Sequence, residues 1–250
     1  MDHRVTRFAI VALLVGVLAG CVHPTTKEPV VIPSSPEALA VVPAFHEGTQ
    51  ARHERFNATS REGAARLVFL GDSITEGWET AGKDVWDRYY AHRRAANFGI
   101  GGDRTEHVLW RLDHGNLDGL SPRLIVVMIG TNNAGHRQDQ AGDTAAGVRA
   151  IVERLRAKCP RSRILLLAIF PRGQTLDDPC RRLNDETNMM LRGFADATEA
   201  VEFLDIGGRF VDQDLVPRAD LMPDRLHLSR GGYELWAEAI EARVRRALGE

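Results

Sequence analysis

The stretch Leu67-Val68-Phe69-Leu70-Gly71-Asp72-Ser73-Ile74-Thr75 runs an unbroken apolar segment into a glycine and then into short polar residues. A continuous apolar run of that length fits a strand buried on both faces, the condition of a parallel sheet. Similar short segments recur at 95–98, 124–129, 164–170 and 201–204. Helical patterns lie between them. Val148, Ile151, Val152 and Leu155 share one apolar face, and so do Tyr233, Trp236, Ile240 and Val244, behind a Ser229 able to cap the helix. Strands alternating with helices predict an α/β, doubly wound parallel sheet of five strands, because parallel neighbours need crossover connections. No repeat and no second composition shift divide it, so one domain is expected over 51–250.

In such a sheet ligands bind beyond the carboxyl ends of the strands, at the topological switch point. The polar clusters of this chain fall there. Gly71-Asp72-Ser73 follows the first strand, Gly99-Ile100-Gly101-Gly102-Asp103 the second, and Gly130-Thr131-Asn132-Asn133 the third. Asp224-Arg225-Leu226-His227 precedes the last helix. Together they offer the parts that acyl transfer needs. Ser73, at a strand-to-helix turn, is a candidate nucleophile, weak until a base accepts its proton. His227 can be that base, and Asp224, on the same turn, can fix its tautomer. The backbone N–H groups of Ser73 and Gly102 and the side-chain amide of Asn132 are candidate donors for an oxyanion.

These four blocks resemble those of the SGNH (GDSL) hydrolases. Phe69 to Trp78, the segment NFGIGGDRTEHVLWRL at 97–112, Gly130-Thr131-Asn132-Asn133 and Leu226-His227-Leu228-Ser229 are similar to the catalytic subunits of platelet-activating-factor acetylhydrolases and their bacterial relatives. The resemblance implies a flavodoxin-like sheet and a carboxylic ester hydrolase that needs no metal and no cofactor. It places the nucleophile on Ser73, the oxyanion donors on Gly102 and Asn132 beside Ser73, and the Asp and His on Asp224 and His227.

Nucleotide readings fail. Gly99-Ile100-Gly101-Gly102-Asp103-Arg104 has an arginine at the third glycine position of a dinucleotide loop, and it follows the wrong strand. At 130–137, His136 and Arg137 stand where a phosphate loop needs Lys and Ser or Thr. Lys plus Arg number 32 against 34 acidic residues, a net charge of −2, so no basic excess suits nucleic acid. Neither His-x-x-x-His nor Cys-x-x-Cys occurs, which argues against a catalytic zinc. His107 is expected to be packed or solvated, and His136 is a candidate for the pocket wall.

The N-terminus carries an address. Arg4 and Arg7 precede an apolar run at 8–19, and Leu18-Ala19-Gly20-Cys21 resembles a lipoprotein cleavage site. The expectation is a signal peptide over 1–20, lipidation of Cys21, and a Pro-rich tether over 21–50. That would anchor the protein by lipid to a bacterial envelope membrane, on its periplasmic or surface face. Cys159 and Cys180 lie on opposite sides of the fourth strand and are expected to stay reduced.

Ile74, Thr131 and Leu226 adjoin the nucleophile, an oxyanion donor and the base, and are expected to bound a small acyl pocket. That favours acetyl-type esters. The alternatives are lysophospholipase, lipase or thioesterase activity on longer chains, or a non-catalytic module holding an acylated glycan.

Overall fold

The computed structural model describes Met1, residues 34–35 and residues 38–250. The expected signal peptide, the lipidation at Cys21 and most of the tether lie outside the described residues. After α1 (Gln50–Glu62), the chain alternates strand and helix. It runs β1 (Leu67–Gly71), α2 (Ser73–Glu76), α3 (Lys83–Tyr89), β2 (Ala95–Gly99) and α4 (Thr105–Asp113). It continues through β3 (Leu124–Met128), α5 (Ala141–Lys158) and β4 (Arg163–Leu167). Then come α6 (Pro179–Asp196), β5 (Val201–Leu204) and α7 (Arg230–Leu248). All strand pairings are parallel, in the order β2-β1-β3-β4-β5. The order reverses at β1, so the switch point lies between the carboxyl ends of β1 and β3.

The apolar runs are explained by burial on two faces. Within β1, Val68 and Leu70 pack with Val108, Leu112, Ile151 and Leu155 from α4 and α5. Leu67 and Phe69 face the other way, among Trp78, Tyr90, Trp236 and Ile240. Each such side chain contributes about 1.5–3 kcal/mol when fully buried. The expected helical faces close over these layers: Tyr233, Trp236, Ile240 and Val244 are buried on α7, and Ser229 Oγ accepts from Gly232 N at 3.3 Å.

Two boundaries differ from expectation. The segment 164–170 leaves the sheet after Leu167, the last residue paired with β5. Beyond it, Ile169 gives its N–H to Asn188 Oδ1 (2.8 Å) and accepts from Asn188 Nδ2 (2.9 Å), so a side chain on α6 replaces a strand as partner. More consequential, residues 38–49 belong to the folded body and not to a tether ending at residue 50. Ala38 and Ala40 are buried, Thr105 Oγ1 donates to the Ala40 carbonyl at 2.8 Å, and Ala44 N donates to the Glu106 carbonyl at 3.2 Å. A β-carbon on Gly147 of α5 would lie 2.6 Å from the Ala40 oxygen, so glycine permits this close approach. Ser35 reaches farther back, donating N–H and Oγ to the Asp143 carboxylate at 2.6 and 3.0 Å.

Cys159 and Cys180 are both free. Among the described residues no helix is long and apolar enough to cross a membrane.

Candidate active site

Ser73 opens α2 at the carboxyl end of β1. Asp72 caps that turn, its Oδ1 accepting from Ile74 N at 3.0 Å, while the Tyr233 hydroxyl holds the Ile74 carbonyl at 2.8 Å from beneath. Asp72 has no solvent exposure, and its Oδ2 meets no donor among the described residues. Burial pushes its carboxyl up to about 7.

The other half of the site sits on the connection between β5 and α7. Asp224 Oδ1 accepts the N–H groups of Leu226 (3.0 Å) and His227 (2.6 Å), which folds the turn tightly. Arg225, in the left-handed region at φ 63°, makes the bend. Asp224 Oδ2 lies 2.6 Å from His227 Nδ1, and His227 Nε2 lies 2.9 Å from Ser73 Oγ. Partial burial opposes ionisation of Asp224, but the hydrogen bonds from the His227 ring and from the backbone of His227 and Leu226 outweigh it and hold the carboxyl below its ordinary value. The pair is wet: 45% of the His227 side chain and 55% of the Asp224 side chain are exposed.

The glycine loop that carries the expected oxyanion donor Gly102 lies against Ser73: a β-carbon on Gly101 would stand 3.8 Å from Ser73 Cβ. Gly102 adopts φ 78°, a conformation that disfavours other residues and turns the loop there. Asn132 is buried, with Nδ2 donating to the Asp103 carbonyl at 2.9 Å; a primary amide keeps a second N–H for a ligand.

Beneath this loop Asp103 is the hub. Its fully buried carboxylate takes Arg111 Nε on Oδ2 at 2.8 Å and His46 Nδ1 on Oδ1 at 2.8 Å. The same guanidinium donates to the carbonyls of Gly71 (3.1 Å) and Phe98 (2.8 Å), tying together the ends of β1 and β2. His46 stacks on His107, with ring centroids 4.4 Å apart and planes 18° from parallel. His107 is packed: its Nδ1 accepts from Arg104 N at 3.1 Å, and burial foremost lowers its pKa to about 4, which suits an acceptor. Sequence reasoning missed His46, which arrives on the segment expected to be tether.

His46, Asp103 and His107 bring their potential ligand atoms within 4.8 Å of one another. Nearly parallel stacked rings direct their in-plane lone pairs side by side and not toward one point. Arg111 on Asp103 and Arg104, 3.2 Å from His107 Nε2, add positive charge. The cluster therefore suits hydrogen bonding better than a shared cation.

Of the expected acyl-pocket residues, Leu226 lines a cleft of about 410 Å³ shared with Arg172, Gln174, Thr175, Asp178, Asp224 and Arg225. Ile74 is packed in the core beneath the site. Thr131 is buried, with its carbonyl and hydroxyl taking Arg172 Nη1 at 2.9 and 3.1 Å. His136 is exposed, and its Cε1 lies 3.9 Å from the place of a Gly102 β-carbon.

The model of the GDSL-like lipase/acylhydrolase family matches residues 69–235. Among curated proteins, the chain is 36% identical over 198 residues to platelet-activating factor acetylhydrolase IB subunit alpha1 of Homo sapiens, covering 79% of this chain and 83% of that one. It is 34% identical over 200 residues to the alpha2 subunit of Rattus norvegicus, covering 80% and 85%. Among solved structures, a GDSL-like lipase from Bacteroides thetaiotaomicron superposes with a TM-score of 0.63 at 20% identity, covering 79% of this chain and 98% of that one. An acetylxylan esterase from Geobacillus stearothermophilus gives 0.55 at 21% identity, covering 75% and 95%.

Proposed function

The chain belongs to the GDSL-like lipase/acylhydrolase family and is a carboxylic ester hydrolase; from that premise we propose that it removes short, acetyl-type acyl groups through an acyl-enzyme on Ser73. The observation that carries the reading is the line Asp224 Oδ2, His227 Nδ1 and Nε2, Ser73 Oγ, spaced 2.6 and 2.9 Å. With Nδ1–H donated to the Asp224 carboxylate, Nε2 is an acceptor facing the serine hydroxyl.

Attack of Oγ on the ester carbonyl passes the hydroxyl proton to Nε2. The tetrahedral oxyanion is met by the N–H groups of Ser73 and Gly102 and the free amide N–H of Asn132. The imidazolium returns its proton to the departing alcohol, and water, activated by the same nitrogen, releases the acid. Preference for a short acyl group is supported by the human relative, whose name specifies acetyl hydrolysis. The leader at 1–20 and Cys21 extend the proposal to a lipid-anchored enzyme of a bacterial envelope.

The test is labelling with a fluorophosphonate, which reacts with an activated serine. Adduct on a peptide containing Ser73, together with a loss of at least about 10³ in turnover of 4-nitrophenyl acetate in both Ser73→Ala and His227→Ala, is the expected result. Activity within tenfold of wild type in both variants would falsify the reading.

A further inference from the structure

His46 lies outside the residues matched by the family model and outside every block that carries the resemblance. Its ring is nonetheless held on two sides, by Asp103 and by His107. The buried Asp103 carboxylate, which can only accept, has one oxygen taken by Arg111 and the other facing His46 Nδ1 at 2.8 Å. In the neutral ring the proton therefore sits on Nδ1, and Nε2 is left as a bare acceptor. Stacking on His107 fixes the ring plane. The ring presses on the turn that carries an oxyanion donor: its Cε1 and Nε2 lie 3.2 and 3.6 Å from where a Gly102 β-carbon would stand. Its side chain is 27% exposed, so solvent reaches it, and Nε2 makes no hydrogen bond among the described residues.

A merely structural clamp for the arm would need only the Nδ1 bond to Asp103. The second ring nitrogen, left as an acceptor beside the turn that carries Gly102, is surplus to that task. An acetyl group has no donor to offer it, so a substrate donor that replaces water there has to come from the other side of the ester bond. We propose that His46 is a specificity residue whose Nε2 accepts a hydrogen bond from a hydroxyl on the alcohol half of the substrate. This rests on the esterase reading and adds its substrate class: esters of polyols or sugars with a free hydroxyl near the acylated one. The arm at 38–49 then completes the site.

The experiment compares glycerol monoacetate, which has free hydroxyls, with ethyl acetate, which has none, in the full-length chain. His46→Phe keeps the stack on His107 and removes both the acceptor and the Nδ1–H bond to Asp103, the second loss bearing on both esters alike. The expected result is a roughly tenfold rise in KM for glycerol monoacetate, the worth of one good hydrogen bond. The ratio of kcat/KM for glycerol monoacetate over ethyl acetate falls by the same factor. His46→Gln, with an amide oxygen available, restores at least part of that ratio. An unchanged ratio, or equal losses on both esters, overturns the proposal, since a structural role lowers both alike. Where the phenylalanine variant does not fold, His46→Ala is read by the same ratio. Failure of the wild type on both esters would instead remove the esterase reading and this inference with it.

Discussion

His227 Nε2 stands 2.9 Å from Ser73 Oγ across 154 positions of chain, while its Nδ1 is held 2.6 Å from Asp224 within one turn. The proposed base and its orienter thus form a local unit, and only the approach to the serine depends on the global fold.

Substituting Asp224→Asn tests that unit. The amide oxygen can still take the two backbone N–H groups, but an NH₂ then faces Nδ1 and favours the tautomer with its proton on Nε2, pointed at Ser73. Turnover should fall by about 10²- to 10⁴-fold. Because Asp224 is more than half exposed, water can partly replace it, and the lower end of that range is expected. Steady-state rates on 4-nitrophenyl acetate check this; a loss below tenfold would mean that something else orients the imidazole.

Asp72 gives a pH signature of stability. In the unfolded chain its carboxyl titrates near 4, whereas in the native protein burial holds the proton until about 7. Between those values the native state binds the extra proton, so this group makes stability fall as pH rises through that window. Asp72→Asn removes the titration while preserving the acceptor for Ile74 N. Its unfolding free energy relative to wild type, read from denaturant titrations, should climb between pH 5 and pH 8 by on the order of 2–4 kcal/mol. A gap that stays flat with pH would show that the native carboxyl is already ionised at pH 5.

Chain length tests the acyl preference. Across 4-nitrophenyl acetate, butyrate and octanoate, kcat/KM should decline, with octanoate at least about tenfold below acetate, as expected of a site that excludes extra methylenes. Faster cleavage of octanoate would assign the Leu226 cleft to a long acyl chain.

Much of this architecture was legible because its signals are local. A strand buried on both faces must be apolar throughout, and Leu67 to Leu70 could hardly be anything else. Ser73 and Asn132 stand out as candidates because the topology says which loops follow strands toward a ligand, and Asp224 and His227 because their spacing suits a base and its orienter. Side-chain direction is less legible, because neighbouring positions on a helix point about 100° apart; Ile74, beside Ser73, packs in the core, whereas Leu226 lines a cleft. His46 was hidden for another reason. Its contact with Asp103 spans 57 positions, and composition cannot reveal that Ala38 and Ala40 are small enough to nest on the body.

The bond from Ser35 to Asp143 also sets an orientation. Asp143 lies in the first turn of α5, the helix that follows β3 and the Asn132 loop, so the bond holds Ser35 at the rim that carries Ser73 and Asn132. The lipid anchor proposed above would therefore pull on the folded body from the side that bears its mouth.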